Sequence, residues 1–229
     1  LVCDGVGEGL VQSDFQHVDA SAMSGAGVTV RGNGTDNFLF GTQDSDRFTG
    51  LAGADTLRLG LADGASDRVV YEGAADGFGS TAVAYSHDHI FNFEAGTDKV
   101  EFTAAFNGGV NDLDDITADD IFTFASGIKA NFSTTHEGLF ISAATAKLKT
   151  DNLLYQSGFT SVLKAINSKL VGVTAAAGDD GLIAVQAGGS TGLYYYQESD
   201  GIANKVSAGE LTLLGVTDAL TGAGDLILG

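Results

Sequence analysis

A short motif that recurs between residues 31 and 70 limits the possible folds of this chain more than any other feature. The stretch reads RGNGTDNFL, GTQDSDRFT, GLAGADTLR and a looser ADGASDRVV. Each unit places an aspartate two residues before an apolar residue, and the pairs are Asp36 with Phe38, Asp46 with Phe48, Asp55 with Leu57 and Asp67 with Val69. Self-similarity at such a short period predicts a stack of similar units whose apolar residues share one interior.

The glycines and aspartates of these units favour the binding of a hard cation. Glycine-rich half-turns let backbone carbonyl groups converge, and each aspartate adds an anionic oxygen. Calcium takes six to eight oxygen ligands at about 2.3–2.6 Å, which stacked turns can supply together. The alternative is a glycine- and aspartate-rich stack of strands that packing alone holds together.

The units resemble the calcium-binding nonapeptide G-G-x-G-x-D-x-U-x of repeats-in-toxin proteins, which fold as a parallel β-roll. Gly32, Gly34 and Asp36 fit this pattern in the first unit, and Gly50, Gly53 and Asp55 fit it in the third. The second unit has Asp44 where the pattern has a glycine, so Asp44 is either a ligand or a solvated loop residue.

Segments on both sides of the repeat extend the resemblance. Residues 18–34 are similar to the lead into such rolls in bacterial surface-layer proteins. Residues 88–102, DHIFNFEAGTDKVEF, resemble the segment that closes the roll in exported metalloproteases and surface proteins. The resemblance implies that calcium is held at glycines and aspartates of these turns: Gly32, Gly34, Asp36, Asp44, Asp46, Gly53, Asp55, Asp67, Asp88 and Asp98.

The second half of the chain predicts a different architecture. Apolar residues at helical spacing predict a helix over 159–173, and residues 182–187 and 192–198 predict a β-hairpin around the turn GGST. Strands are predicted at 210–216 and 225–228. Tyr194, Tyr195 and Tyr196 point alternately to the two sides of one strand. Their side chains form either part of the core together with an exposed edge, or a platform on which carbohydrate stacks. This order resembles the C-terminal domains of type I secretion substrates, and an ordinary α+β cap is the alternative.

The predicted fold class is therefore mainly β. A short parallel calcium β-roll with its flanking segments spans 1–102, and a β-rich cap with one or two helices spans 103–229. The start at Leu1 suggests a fragment of a longer chain.

The charge of the chain and the motifs that it contains restrict the classes of function that it can have. The chain has 30 acidic and 11 basic residues, a formal net charge of −19, which disfavours nucleic acid and anionic membranes and favours cations. The single Cys3 excludes an internal disulfide, and no apolar run is long enough for a membrane helix.

His87 and His89 share one strand face without an evident third metal ligand. The acidic run 112–122 is a solvated helix or turn, or an additional calcium site. No catalytic motif is present, so this chain is not expected to be an enzyme.

We therefore expect a calcium-gated folding and export module of a larger secreted surface-layer, adhesin or matrix protein. Its expected partners are calcium ions and the type I secretion machinery, with a second copy or a cell-surface polysaccharide as further candidates. It is expected outside the cell, at the cell surface. The alternatives are the export and folding domain of a secreted hydrolase or protease, and a self-associating or glycan-binding module.

Overall fold

The computed structural model describes residues 15–77, 87–103, 121–124, 138–142, 148–154, 156–170, 180–202, 205–218 and 223–228. Two β-sheets and two helices make up most of this part of the chain, so the expected mainly-β class is confirmed. Eight short strands come first: β1 His17–Asp19, β2 Thr29–Arg31, β3 Phe38–Phe40, β4 Arg47–Thr49, β5 Thr56–Arg58, β6 Arg68–Tyr71, β7 Asp88–Phe91 and β8 Lys99–Phe102.

These eight strands alternate between the two sheets. In the first sheet β1, β3, β5 and β7 are neighbours, and in the second sheet β2, β4, β6 and β8 are neighbours. Every one of these pairings is parallel. The chain therefore crosses from one sheet to the other after each strand and adds the next strand beside the one before last.

The second half of the chain extends both sheets. It contributes β9 Ile121–Phe124, β10 Gly138–Ile141, α1 Thr150–Leu154, α2 Gln156–Asn167, β11 Asp180–Ala187, β12 Ser190–Gln197, β13 Leu211–Thr217 and β14 Leu226–Leu228. The first sheet runs β1-β3-β5-β7-β13-β12-β11-β10-β9, and the second runs β14-β8-β6-β4-β2. Because β13 pairs with β7 and β14 with β8, hydrogen-bonded sheet continues across the predicted boundary at residue 102.

The main core lies between the two sheets. Each of the six strands from β3 to β8 contributes one central side chain, and all six are at most 1% exposed: Leu39, Phe48, Leu57, Val69, Ile90 and Val100. The longer strands β6 and β8 add a second side chain each, Tyr71 and Phe102, to the same core. The apolar residues of the sequence units therefore pack together between the two sheets and hold the sheets against each other.

The first unit is shifted by one residue from the sequence prediction. Phe38, expected to point inward, is 42% exposed, whereas Leu39 is fully buried. Asn37, and not Asp36, therefore stands two residues before the buried position, as Asp46 does before Phe48. The sequence DNFLF offers both alignments, and only the pairing of Leu39 with Leu57 in the sheet selects one.

A second core lies on the outer face of the first sheet, beneath the helices. Leu153, Val162 and Ile166 of α1 and α2 are buried against strands β10 to β13. The predicted helix and the predicted hairpin are both confirmed, with the helix at Gln156–Asn167. Among the described residues, no helix is long and apolar enough to cross a membrane.

The tyrosine-rich strand β12 is internal, so it is neither the exposed edge nor the carbohydrate-stacking platform that the sequence allowed. It lies between β11 and β13 and is not an edge. Tyr194 and Tyr196 belong to the helix-covered core, Tyr195 belongs to the core between the sheets, and none is more than 5% exposed. These rings cannot form a carbohydrate-stacking platform.

The shifted alignment predicts unequal effects for two neighbouring substitutions. Leu39→Ala should lower the free energy of unfolding by about 2–5 kcal/mol, because it opens a cavity between the sheets. Phe38→Ala should lower it by less than about 1 kcal/mol, because its ring is exposed. Urea denaturation of both variants measures the difference, and equal losses would contradict the alignment.

Candidate metal-binding turns

The aspartates of the repeat stand in two columns at the points where the strands begin. The first column, in the first sheet, consists of Asn37, Asp55 and Asp88, two residues before Leu39, Leu57 and Ile90. The second column, in the second sheet, consists of Asp46, Asp67 and Asp98, two residues before Phe48, Val69 and Val100. All six column residues are at most 2% exposed.

Hydrogen bonds run along each column from backbone to side chain. In the first column, the Asn37 N–H donates to Asp55 Oδ1 at 2.7 Å, and the Asp55 N–H donates to Asp88 Oδ1 at 2.9 Å. In the second column, the Asp46 N–H donates to Asp67 Oδ1 at 2.7 Å, and the Asp67 N–H donates to Asp98 Oδ1 at 2.9 Å. Each aspartate thus fastens the start of its own strand to the next strand of the same sheet.

The glycines five residues before the column residues leave room for these carboxylates. A Cβ atom at Gly41 would lie 2.2 Å from Asp46 Oδ2, and one at Gly50 would lie 2.1 Å from Asp55 Oδ2. Real Cβ atoms do not approach so closely, so any other residue would displace the carboxylate. The glycine and aspartate of a unit are therefore parts of one packing arrangement.

Burial makes four of the column carboxylates costly to ionise. Desolvation raises the pKa of Asp55 and of Asp67 to about 7, and it raises the pKa of Asp98 as well. Desolvation also raises the pKa of Asp88 well above its usual range, and the nearby charge of Asp55 adds to the effect. The ion pairs formed by the described residues do not include any column residue. The negative charge of the columns must therefore be neutralised by a proton or by a nearby cation.

Several buried carboxylate oxygens accept no hydrogen bond, and such oxygens indicate whether the site suits a cation. In Asn37, Asp46 and Asp98 a side-chain oxygen accepts the backbone N–H of the residue four positions earlier. In Asp55 the corresponding residue is Leu51, which adopts a φ of 68°, and Asp55 Oδ2 has no hydrogen-bond partner. A buried anionic oxygen without a donor suits a hard cation.

Two further oxygens of this kind lie in the turns that follow β5 and β7. Asp63 Oδ2 and Glu94 Oε1 are buried atoms without a hydrogen-bond partner among the described residues, and both residues line an open depression of about 470 Å³ that also contacts Asn92. We call this group the Asp63–Glu94 pocket. Neither acid is among the residues predicted from the sequence. Glu94 lies within the segment 88–102, but only the fold brings it close to Asp63.

The other predicted ligands lie in the turns between strands. Asp36 is exposed, and its Oδ1 accepts the Ala54 N–H at 2.9 Å, beside Gly53. Asp44 Oδ2 accepts the Gly25 N–H at 2.9 Å. Gly32 packs closely against Gly50, whereas Gly34 has open space around it. The ten predicted residues thus separate into five buried column aspartates and five residues of the turns.

A third acidic group lies in the second half of the chain. Glu198, Asp200 and Glu210 place carboxylate oxygens within 4.8 Å of one another, so the group could hold a metal ion. These oxygens also organise the loop before β13, because Glu198 Oε1 accepts the Gly201 N–H and Glu210 Oε2 accepts the Ser207 N–H. Glu198 and Asp200 are near neighbours in sequence without a recognisable motif, and Glu210 joins them only at the end of the β12–β13 pair, so the group was not predicted from the sequence.

The histidine pair does not gain a third ligand in the described part of the chain. The rings of His87 and His89 stack with their centroids 4.6 Å apart, and burial lowers the pKa of His87 to about 4. Neither belongs to a described group of three metal-ligating side chains. Cys3 and residues 112–120 of the acidic run lie outside the described residues.

Comparison with protein-family models, curated proteins and solved structures finds no match for this chain. The resemblance to repeats-in-toxin proteins therefore rests on the residue pattern.

The raised pKa values predict how stability depends on pH without calcium. Between about pH 4 and pH 7 the folded state keeps protons on Asp55 and Asp67 that the unfolded state has released, so stability falls as the pH rises. In the presence of chelator, the thermal midpoint should decrease from pH 5 to pH 8. Asp67→Asn should flatten this slope, because Asn37 shows that an amide is accommodated in a column. A midpoint that does not depend on pH, or an unchanged slope in the variant, would contradict this account.

Proposed function

We propose that this chain is a non-catalytic calcium-binding module of an exported bacterial surface-layer, adhesin or matrix protein. In this proposal the alternating parallel strands are a calcium β-roll, which folds fully only when calcium is supplied. The observation that carries the proposal is the group of buried carboxylate oxygens without hydrogen-bond donors, on Asp55, Asp63 and Glu94. The excess of negative charge over the whole chain, −19, supports it.

The residues divide into two roles in this proposal. Asp63 and Glu94 would hold calcium in their pocket, because both residues line it and each carries a buried oxygen without a hydrogen-bond donor among the described residues. Asp36 and Asp44 in the turns would add anionic oxygens to other sites. The column aspartates are already bonded to the backbone, so a nearby cation would stabilise their ionised form through charge, and Asp55 Oδ2 is free to accept a direct bond.

The free energy of calcium binding at a few such sites is sufficient to control folding. A ligand that binds only the folded state stabilises it by about 1.4 kcal/mol per site at ten times Kd. A few such sites supply a large part of the roughly 5–15 kcal/mol by which a domain is stable. Extracellular calcium modules bind with Kd values of about 0.1–1 mM, so the sites would be empty inside a cell and filled outside it.

This difference between compartments gives the module its part in export. Without calcium, repulsion among the acids and the cost of burying the columns keep the chain expanded. An expanded chain is the form that a type I secretion channel can carry, with its export signal in the second half. Outside the cell, calcium would offset the buried charge and complete the fold at the surface.

The proposal predicts that loss of the pocket acids raises the calcium requirement. Starting from chelated protein, addition of calcium should increase the far-UV circular dichroism signal and the thermal midpoint of the unsubstituted chain. The double variant Asp63→Asn with Glu94→Gln should need about tenfold more calcium, because both side chains keep their shape and lose their charge.

Two matched variants make the result specific. Asp19→Asn removes one exposed acid of β1 outside the pocket and should titrate like the unsubstituted chain. Glu210→Gln tests the acidic group in the second half. A far-UV signal and a midpoint that do not respond to calcium would sink the proposal. A larger effect of Glu210→Gln than of the pocket variant would place the controlling site in the second half.

A further inference from the structure

The described helices do not cover the outer face of the first sheet along β1, β3, β5 and β7. The strand register places its outward residues in two rows, each with one residue from every strand. One row is His17, Phe38, Thr56 and His89, and the other is Asp19, Phe40, Arg58 and Phe91. We call these two rows the aromatic face.

The described helices end before this part of the sheet. Val216 of β13 is the register neighbour of His89 and lies in the core beneath the helices, so both residues belong to the same side of the sheet. From β7 to β1 no described helix packs on that side. Phe38 is 42% exposed and Phe91 is 37% exposed, among the few large apolar side chains of the described residues that face solvent.

Contacts between neighbouring side chains hold the rings in place. His17 stacks on Phe38 with ring centroids 4.8 Å apart, and His89 stacks on Phe91 at 6.1 Å. The Arg58 guanidinium lies 5.5 Å from the Phe40 ring and 5.9 Å from the Phe91 ring. Rings that are already ordered lose little conformational entropy when a ligand stacks on them.

The charge of the aromatic face selects an uncharged ligand. Arg58 and Asp19 carry opposite charges in the same row, so their charges offset each other. The face is therefore close to neutral on a chain whose net charge is −19. A second copy of the chain is disfavoured as the occupant, because two molecules of such high like charge repel each other.

A neutral sugar chain has the chemistry that this face can bind. One side of a pyranose ring is covered with C–H groups and stacks on an aromatic ring, while its hydroxyl groups bond to polar side chains such as Asp19, Thr56 and Arg58. Strands β3 and β7 are two strand spacings apart, about 9.6 Å, which suits alternate sugar units of an extended chain.

We propose that the aromatic face binds a neutral polysaccharide chain. The binding goes beyond the calcium-dependent folding, and it requires only that β1, β3, β5 and β7 are formed. A surface protein with such a face would attach to uncharged glycan at the cell surface or in a matrix.

Isothermal titration calorimetry in calcium buffer tests this proposal with three neutral hexasaccharides: cellohexaose, maltohexaose and xylohexaose. At least one should bind the unsubstituted chain, and Phe38→Ala with Phe91→Ala should weaken that binding at least tenfold. Ile202→Ala removes an equally exposed apolar side chain outside the face and should bind like the unsubstituted chain. Circular dichroism and calcium titration of each variant show that the fold and the calcium response are intact.

The other outcomes would overturn the proposal. Absence of binding to all three sugars, with a normal calcium response, would reject it and leave the calcium module standing. Equal binding by the double variant would place the sugar elsewhere. If light scattering shows that the unsubstituted chain is a dimer and the double variant a monomer, the face joins two copies and the sugar proposal fails.

Discussion

A buried aspartate that accepts a backbone N–H from the neighbouring strand of the same sheet is the interaction on which the parallel half of this structure depends. Strands of three or four residues form few hydrogen bonds with each neighbour, and β3, β4 and β5 each offer one apolar side chain to the core. The bond from Asp46 N–H to Asp67 and its equivalents add a fixed connection at the start of β3, β4, β5 and β6. The carboxylates of Asp46 and Asp55 also require a glycine five residues earlier, because no side chain fits beside them.

This way of joining strands has an electrostatic cost, and the cost links the fold to its proposed function. Five carboxylates are enclosed in the two columns, and the described ion pairs do not reach them. Protons offset the charge at low pH, and a divalent cation can offset it at neutral pH. The proposed response to calcium rests on this buried charge, because a fold held by hydrophobic side chains alone would not respond to calcium.

The two halves of the chain complement each other through the sheets. β13 and β14 add to the ends of the stacked strands, so the second half covers strand edges that would otherwise be open to pairing with other chains. The helices α1 and α2 cover only the part of the first sheet formed by the second half. The aromatic face is the remaining part, and its aromatic and charged side chains are more suited to a ligand than to a core.

The sequence by itself determined the repeated unit, the pairing of glycine with aspartate, the mainly-β class, the helix and the hairpin. These features follow from short-range spacing, and spacing is visible in a single chain. The alignment of the first unit could not be chosen in this way, because Asp36 with Phe38 and Asn37 with Leu39 satisfy the same pattern. Tertiary structure decided that alignment through the partner strand. It also brought Asp63 to Glu94 and Glu198 to Glu210, and it buried Tyr194 to Tyr196 while leaving Phe38 and Phe91 exposed. All of these depend on which strands become neighbours, a choice made by the packing of the whole chain.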